Sequence, residues 1–344
     1  MNDKKRILIV RTDRIGDVIL TLPLASILKK HFPNSEITFL VRDYTKSLTK
    51  NNLFIDKTIT LIEKNNKPKF FENINQLKNK FDVCVVAYPT FWVSLILFFS
   101  SIKIRIGSGY RWYSFLFNKK IYEHRKYGEH HELEYNVNLL KPLGIFETPQ
   151  KDKIDFGIQI DNSFLNKIEN FLNDNKILKD KKIIIVHPGS GGSAIDLPKE
   201  KMKYLVDELS KDKNIVLIIT GSKNEKELCQ SMIVNENVIN TAGEFNLNEL
   251  IALISKAEVV IANSTGPIHI ATALGKNIIG FYPKFAAVSP KRWGPYTSKA
   301  VLFQPSVCDG NCNRKKCQQI NCMNSIEINE VIKSIYNILP KVNN

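Results

Sequence analysis

Three short segments gather charge, glycine and hydroxyl groups densely enough to do chemistry. The first is Arg11-Thr-Asp-Arg-Ile-Gly-Asp17, with two cations, two carboxylates and a glycine in one turn. A carboxylate there can act as a general base toward an attacking hydroxyl. Asp17 at the start of a helix can equally be an N-cap, and Gly16 permits close backbone approach or an unusual φ. The second is His187-Pro-Gly-Ser-Gly-Gly-Ser193. Gly189, Ser190, Gly191 and Ser193 can present N–H and O–H groups to an anion, or form an ordinary glycine-rich turn. No Gly-Lys-Ser/Thr follows, so it is not a Walker loop. The third is Asn263-Ser-Thr-Gly-Pro-Ile-His269. Pro267 suits a first helical turn, and Ser264, Thr265 and Gly266 stand where the helix dipole favours a phosphate. His269 lies about one turn further in, where a histidine more often packs or faces solvent than reacts.

Positioning these groups requires elements that end where they begin. Short β-branched runs alternate with stretches of helical period, the pattern of parallel α/β layers. Strands are expected at Arg6–Val10, Glu36–Val41, Val83–Ala87 and Lys103–Ile106. Val18, Leu22, Ala25 and Phe32 recur at helical spacing, which puts Pro23 in a first turn or at a kink. After an irregular stretch at 145–165 the alternation restarts with strands at Ile183–His187, Ile215–Thr220, Val259–Ala262 and Ile278–Phe281. Helices are expected at Lys199–Ser210, Lys223–Met232, Asn246–Ser255 and from about Gly266. The expectation is two doubly wound Rossmann-like domains facing a cleft, 1–160 and 161–325, followed by a helix and tail, 326–344. All three polar segments then follow strand carboxyl ends, where ligands bind in open sheets.

The chain of 344 residues is long enough for two cores. Its N-terminal apolar stretch is too short for a signal peptide. The longest apolar run, Phe91–Ile102, is too short to cross a bilayer and reads as a core helix or an interfacial contact. The chain therefore reads as cytoplasmic. A net charge of +15 favours polyanionic partners. Its lysines are scattered with no basic run, which argues against nucleic acid and leaves peripheral contact with the anionic inner face of the cytoplasmic membrane. Cys84 and Cys229 sit in apolar segments as buried thiols. Cys308, Cys312, Cys317 and Cys322 cluster in the tail, either as a structural zinc site or as loose reduced thiols.

In order and density the segments ILIVRTDRIGDVILTLPLASILKKHFP, HELEYNVNLLKPLGI, IIIVHPGSGGSAIDLPKEKM, IITGSKNEKEL and NTAGEFNLNELIALISKAEVVIANSTGPIHIATALGKNIIGFYP resemble glycosyltransferase family nine, the ADP-heptose:lipopolysaccharide heptosyltransferases. The resemblance implies a GT-B fold, an ADP-heptose donor on the C-terminal domain and a lipid-linked oligosaccharide acceptor on the N-terminal one. It also implies inversion without a catalytic metal or other cofactor. Asp17 matches the family's proposed base. Gly189, Ser190, Gly191, Ser193, Gly221, Glu225, Ser264, Thr265, Gly266 and His269 fall on the donor side, with Glu225 near the nucleoside. Arg11, Arg14, Gly16, Tyr110 and Arg111 are acceptor-side candidates, in a domain whose Tyr110–Tyr113 and His124–His131 segments offer rings and cations. One departure stands out. Ile195 and Asp196 occupy the place of a basic residue after the Gly-Ser loop, so Lys199, Lys201, Arg11 or Arg14 would have to supply that charge.

Overall fold

The run Arg6–Val10 carries no polar residue after its arginine, and it becomes the centre of a sheet buried on both faces. The computed structural model describes residues 4–177, 180–308 and 313–339. The chain divides into two units, Met1–Gln159 and Ile160–Asn344.

In the first unit the strands are β1 (Arg6–Val10), β2 (Glu36–Val41), β3 (Lys57–Thr60), a small hairpin β4 (Glu63–Lys64) and β5 (Lys67–Pro68), then β6 (Val83–Val86), β7 (Ile104–Ser108) and β8 (Lys119–Ile121). The main sheet has the order β3-β2-β1-β6-β7-β8 and is parallel throughout. Its register sets Ile7 beside Ile37 on one side and Val83 on the other. The edge strands β3 and β8 escape a periodicity reading because they are short and half-exposed, so neither shows an apolar run. The helical stretch after β1 forms two helices, Ile15–Ile19 and Pro23–His31. Pro23 opens the second, where a missing N–H costs nothing.

The second unit repeats the arrangement. Its strands are β9 (Lys182–His187), β10 (Ile215–Ile219), β11 (Val238–Asn240), β12 (Val259–Asn263), β13 (Asn277–Phe281) and β14 (Ala300–Phe303). The order is β11-β10-β9-β12-β13-β14, again all parallel. The helix expected at Lys223–Met232 begins as a 3-10 turn, Lys223–Glu225, and continues as Lys226–Gln230. The last helix, Ile328–Ile338, packs on helix Lys199–Ser210 and on β13, with Val331 and Ile335 in the core. It therefore belongs to the second unit and forms no separate segment.

In each unit the strand order reverses direction beside the first strand, between β1 and β6 and between β9 and β12. That reversal opens a crevice at the carboxyl ends of the strands.

Candidate functional site

The first-unit loop leaves β1 with Arg11 fully buried, 2% exposed. Its guanidinium is surrounded by the chain's own acceptors. Nε donates to Asp13 Oδ1 at 2.7 Å, one terminal nitrogen to Asp17 Oδ1, and the other to Glu132 Oε1 and Asn136 Oδ1, both at 3.3 Å. Glu132 and Asn136 lie on helix Glu132–Asn138, whose N-cap His131 accepts the Leu133 N–H. Arg125 reaches the same Glu132 carboxylate and donates to Asn136 Oδ1 at 3.0 Å. The Asn136 amide then donates to Leu20 O and Thr21 Oγ1, and the Thr21 hydroxyl donates to Asp17 O at 2.8 Å.

This geometry corrects three expectations. Asp17 does not cap its helix, because the N-cap position is Arg14 and Asp17 lies within the first turn, bonded to Arg11. Gly16 is an ordinary helical residue within Ile15–Ile19 and has no unusual φ. Arg11 is turned inward, so its charge serves the chain's own carboxylates and is not offered to an acceptor or to a donor phosphate. Arg14 is exposed.

Burial opposes the charge on Arg11, but Asp17, Asp13 and Glu132 hold its pKa above the usual value. Burial also pushes Asp13 up to about 7, with Arg11 pulling the other way and the charge on Asp17 adding to the rise. Among the described residues only Oδ1 of Asp17 is engaged, which leaves Oδ2 able to accept a substrate hydroxyl. Tyr110 is half-exposed and stacks on His124 with ring centres 3.6 Å apart, and Arg125 next to that histidine joins the Glu132 cluster. Arg111 is exposed.

The second-unit loops present mostly backbone, hydroxyl and amide groups, with Glu225 and His187 beside them. Gly191 and Gly192 adopt left-handed φ values of 53° and 75°, and a Cβ on either would point into open space. A Cβ at Gly189 would overlap Glu225 Oε1, so this position must remain glycine for the carboxylate to approach. Glu225 Oε1 accepts the Gly191 N–H at 3.1 Å, and Oε2 accepts the Ser222 N–H and hydroxyl at 2.8 and 2.7 Å. Burial opposes the Glu225 charge, yet Ser222, His187 and the Gly191 N–H keep its pKa below the usual carboxylate range. Glu225 therefore ties the glycine loop to its own helical turn, with Oε1 on the Gly191 N–H and Oε2 on Ser222. Burial holds His187 below its usual value, with Thr220 Oγ1 2.9 Å from its Nδ1. Gly221 has a packing role, since a Cβ there would lie 2.6 Å from Cys229 Sγ.

Asn263 joins the two loops. It is fully buried at the end of β12, donates to Pro188 O at 2.7 Å and accepts the Leu197 N–H at 2.8 Å. The Ser193 hydroxyl donates to Ser190 O and lies 3.5 Å from Ser264 O. At the seam, Thr265 is the N-cap of helix Gly266–Ala273, but its side chain makes no cap bond. Its Oγ1 is buried without a hydrogen-bond partner among the described residues, and such a group calls for an external partner. His269 is buried in the first turns of that helix.

Lys201 turns away to Ile326 O at 2.7 Å, and Lys199 is exposed. The cation on the Gly-Ser loop is Arg314, distant in sequence, which donates to Gly192 O and Ser193 O, both at 2.8 Å. Asp196 Oδ1 is buried without a partner among the described residues, and burial raises its pKa. Neither Asn263 nor Arg314 stood out as a site residue from sequence. Asn263 had a signal, a polar residue ending an apolar strand, whereas Arg314 had none.

Cys308, Cys317 and Cys322 are buried in the second unit's apolar core, and Cys312 lies outside the described residues. No group of three or more His, Cys, Asp or Glu able to hold a metal occurs among the described residues. Burial pushes Cys84 and Cys229 up to about 12, which makes them poor nucleophiles.

Two doubly wound units with polar loops at their switch points define a GT-B type α/β protein. Residues 71–324 match the model of glycosyltransferase family 9 (heptosyltransferase), and the chain belongs to that family. A Haemophilus influenzae protein named "Putative glycosyltransferase" is 30% identical over 88% of this chain and 89% of its own. The lipopolysaccharide core heptosyltransferase OpsX of the same species is 27% identical over 86% of this chain and 82% of its own. Among solved structures, E. coli ADP-heptose lps heptosyltransferase II superposes with a TM-score of 0.79 at 19% identity, covering 97% of this chain and 98% of the other. The chain is a glycosyltransferase. No described helix is long and apolar enough to cross a membrane.

Proposed function

We propose that this glycosyltransferase moves heptose from ADP-heptose to the lipopolysaccharide inner core, on a lipid A–Kdo type acceptor, with inversion and without a catalytic metal or other cofactor. The observation that carries the donor half is the Asn263 junction, which draws the two anion-binding loops together around the unpartnered Thr265 hydroxyl. Loops of backbone N–H and hydroxyl groups at a helix N-terminus suit a diphosphate. Relatives named as heptosyltransferases support the choice of sugar.

In this reading an acceptor hydroxyl gives its proton to Asp17 Oδ2 as its oxygen bonds to the anomeric carbon. The bond from that carbon to the diphosphate breaks, and the electron pair leaves with ADP. Arg11 holds Asp17 by Oδ1 and so fixes its orientation. Ser190, Ser193, Thr265 and Gly266 receive the developing phosphate charge. Arg314 takes the place of the base expected at Ile195 or Asp196. A lipid-linked acceptor would set this work in the cytoplasm, at the inner face of the membrane, and the reading assigns no role to nucleic acid.

A second reading keeps the fold and changes the donor to another nucleotide sugar. It is favoured by the partly buried carboxylate Asp196, which bonds Ser190 of the glycine loop where the family resemblance called for a cation.

The test is transfer from ADP-heptose to a deacylated lipopolysaccharide core, run beside a panel of other nucleotide sugars. Asp17→Ala is expected to lower kcat by about a hundred- to ten-thousandfold with ADP affinity unchanged. Transfer from a different donor would replace the heptose assignment, and an active Asp17→Ala variant would remove Asp17 as the base.

A further inference from the structure

Helix Phe91–Phe99 (FWVSLILFF) is apolar all round except for Ser94. Its inner side, Val93, Ile96 and Leu97, is buried in the first unit's core. The outer positions Trp92, Leu95, Phe98 and Phe99 recur at helical spacing, where an ordinary surface helix carries charge. Trp92 is 53% exposed, and Trp112 and Phe115 in the turn before β8 are 73% and 65% exposed. The rings gather in two groups, one at each end of the helix. Trp112 stacks on Phe91 at 4.9 Å and Phe91 meets Trp92 at 5.3 Å. At the other end of the helix Phe99 meets Phe70 at 5.9 Å, and Phe70 meets the exposed Phe71 at 5.3 Å.

The segment that carries the helix and the Trp112–Phe115 turn has charge of one sign. Between Asp82 and Glu123 there is no acidic residue, and five basic ones occur: Lys103, Arg105, Arg111, Lys119 and Lys120. Arg105 lies beneath Phe98, its guanidinium carbon 5.2 Å from the ring centre, and is tied to Leu116 O at 2.8 Å. Exposed tryptophan and phenylalanine in a segment whose only charges are lysine and arginine match the chemistry of a bilayer interface. Rings settle at headgroup depth and cations pair with lipid phosphates. A second copy of this chain fits less well, because two basic rims would face each other with no carboxylate in the segment to pair them.

We propose that the outer face of helix Phe91–Phe99 and the Trp112–Phe115 turn form a docking surface for an anionic lipid bilayer. The rings enter the headgroup layer, and Lys103, Arg111, Lys119 and Lys120 meet the lipid phosphates. The proposal extends the lipid-linked acceptor reading above, but docking is measured without any sugar, so either can fail alone.

The chain holds three tryptophans, and Trp293 lies in the second unit. In a full-length Trp293→Phe protein, emission therefore reports only on Trp92 and Trp112. Vesicles of phosphatidylcholine mixed with phosphatidylglycerol should shift that emission to the blue, and brominated lipid should quench it. Wild-type protein should co-sediment with the same vesicles but not with pure phosphatidylcholine, and about 0.5 M salt should release it. A Lys119→Glu, Lys120→Glu double variant should bind at least about fivefold more weakly. A Phe98→Ser, Phe115→Ser double variant should lose the bound fraction while melting as the wild type does. Absence of sedimentation and of an emission shift would overturn the proposal, as would equal binding to neutral vesicles or by both double variants. So would a dimer seen by light scattering that Phe98→Ser, Phe115→Ser dissolves, which would assign the face to a second copy.

Discussion

After β1 the first unit gathers five ionisable side chains, Arg11, Asp13, Asp17, Arg125 and Glu132, into one bonded cluster. At the matching crevice of the second unit, after β9 and β12, the chain uses glycines, serines, a threonine and the amide of Asn263, braced by Glu225 and by Arg314 from the tail. The two sheets have the same strand order, so topology selects the place and the side chains select the chemistry. A buried cluster with more carboxylates than cations suits proton handling, whereas a loop of N–H and O–H groups suits an anion that arrives with its own charge.

The largest test of that contrast is Arg11→Met. It removes the cation at the centre of the first cluster and leaves the partly buried Asp13 and Asp17 without their shared partner, although Arg125 still meets Glu132. The expected loss is about 3–5 kcal/mol of stability, read by denaturant unfolding. A variant as stable as wild type would mean the cluster is not structural.

Thr265→Val probes the second unit and should behave oppositely. The lost hydroxyl has no partner in the fold, so stability should stay within about 1 kcal/mol of wild type, while a lost bond to a charged phosphate lowers ADP affinity by about ten- to a hundredfold. Calorimetry separates the two, and unchanged affinity would remove Thr265 from the donor site.

The smallest effect is a pH dependence confined to the first unit. Burial holds Asp13 at about 7, against about 3.9 in an unfolded chain. The folded state therefore keeps a proton that the unfolded state releases, so this contribution is fully present below about pH 4 and is lost as pH rises through about 7. Asp13→Asn removes the titration. Its melting temperature relative to wild type should climb between pH 4 and pH 8, by about 2–4 °C for each kcal/mol. A constant difference would show that Asp13 titrates normally.

Much of this was legible in advance. The central strands β1, β9 and β12 are continuous apolar runs, and each of the three polar motifs follows one of them directly. The edge strands β3 and β8 were not legible because a strand paired on one side only carries mixed residues and no period of its own, while β11 and the apolar β14 are only three and four residues long. Asp17 was read as either base or cap, and the capping alternative fell only once the N-cap was seen to be Arg14. Glu225 was singled out, but its bond to the Gly191 N–H was not, since nothing local says that a carboxylate will close back on that loop.

By itself the sequence determined the alternation of strands and helices, the positions of the polar loops and the family, because these depend on periodicity and on residues adjacent in the chain. Only the tertiary structure decided which charges are satisfied internally. Arg11 meets Glu132, Asn263 joins Pro188 to Leu197, and Arg314 reaches Gly192 across long stretches of chain. Such pairings follow from the return of the chain to the same sheet edge, and a linear pattern carries no trace of them.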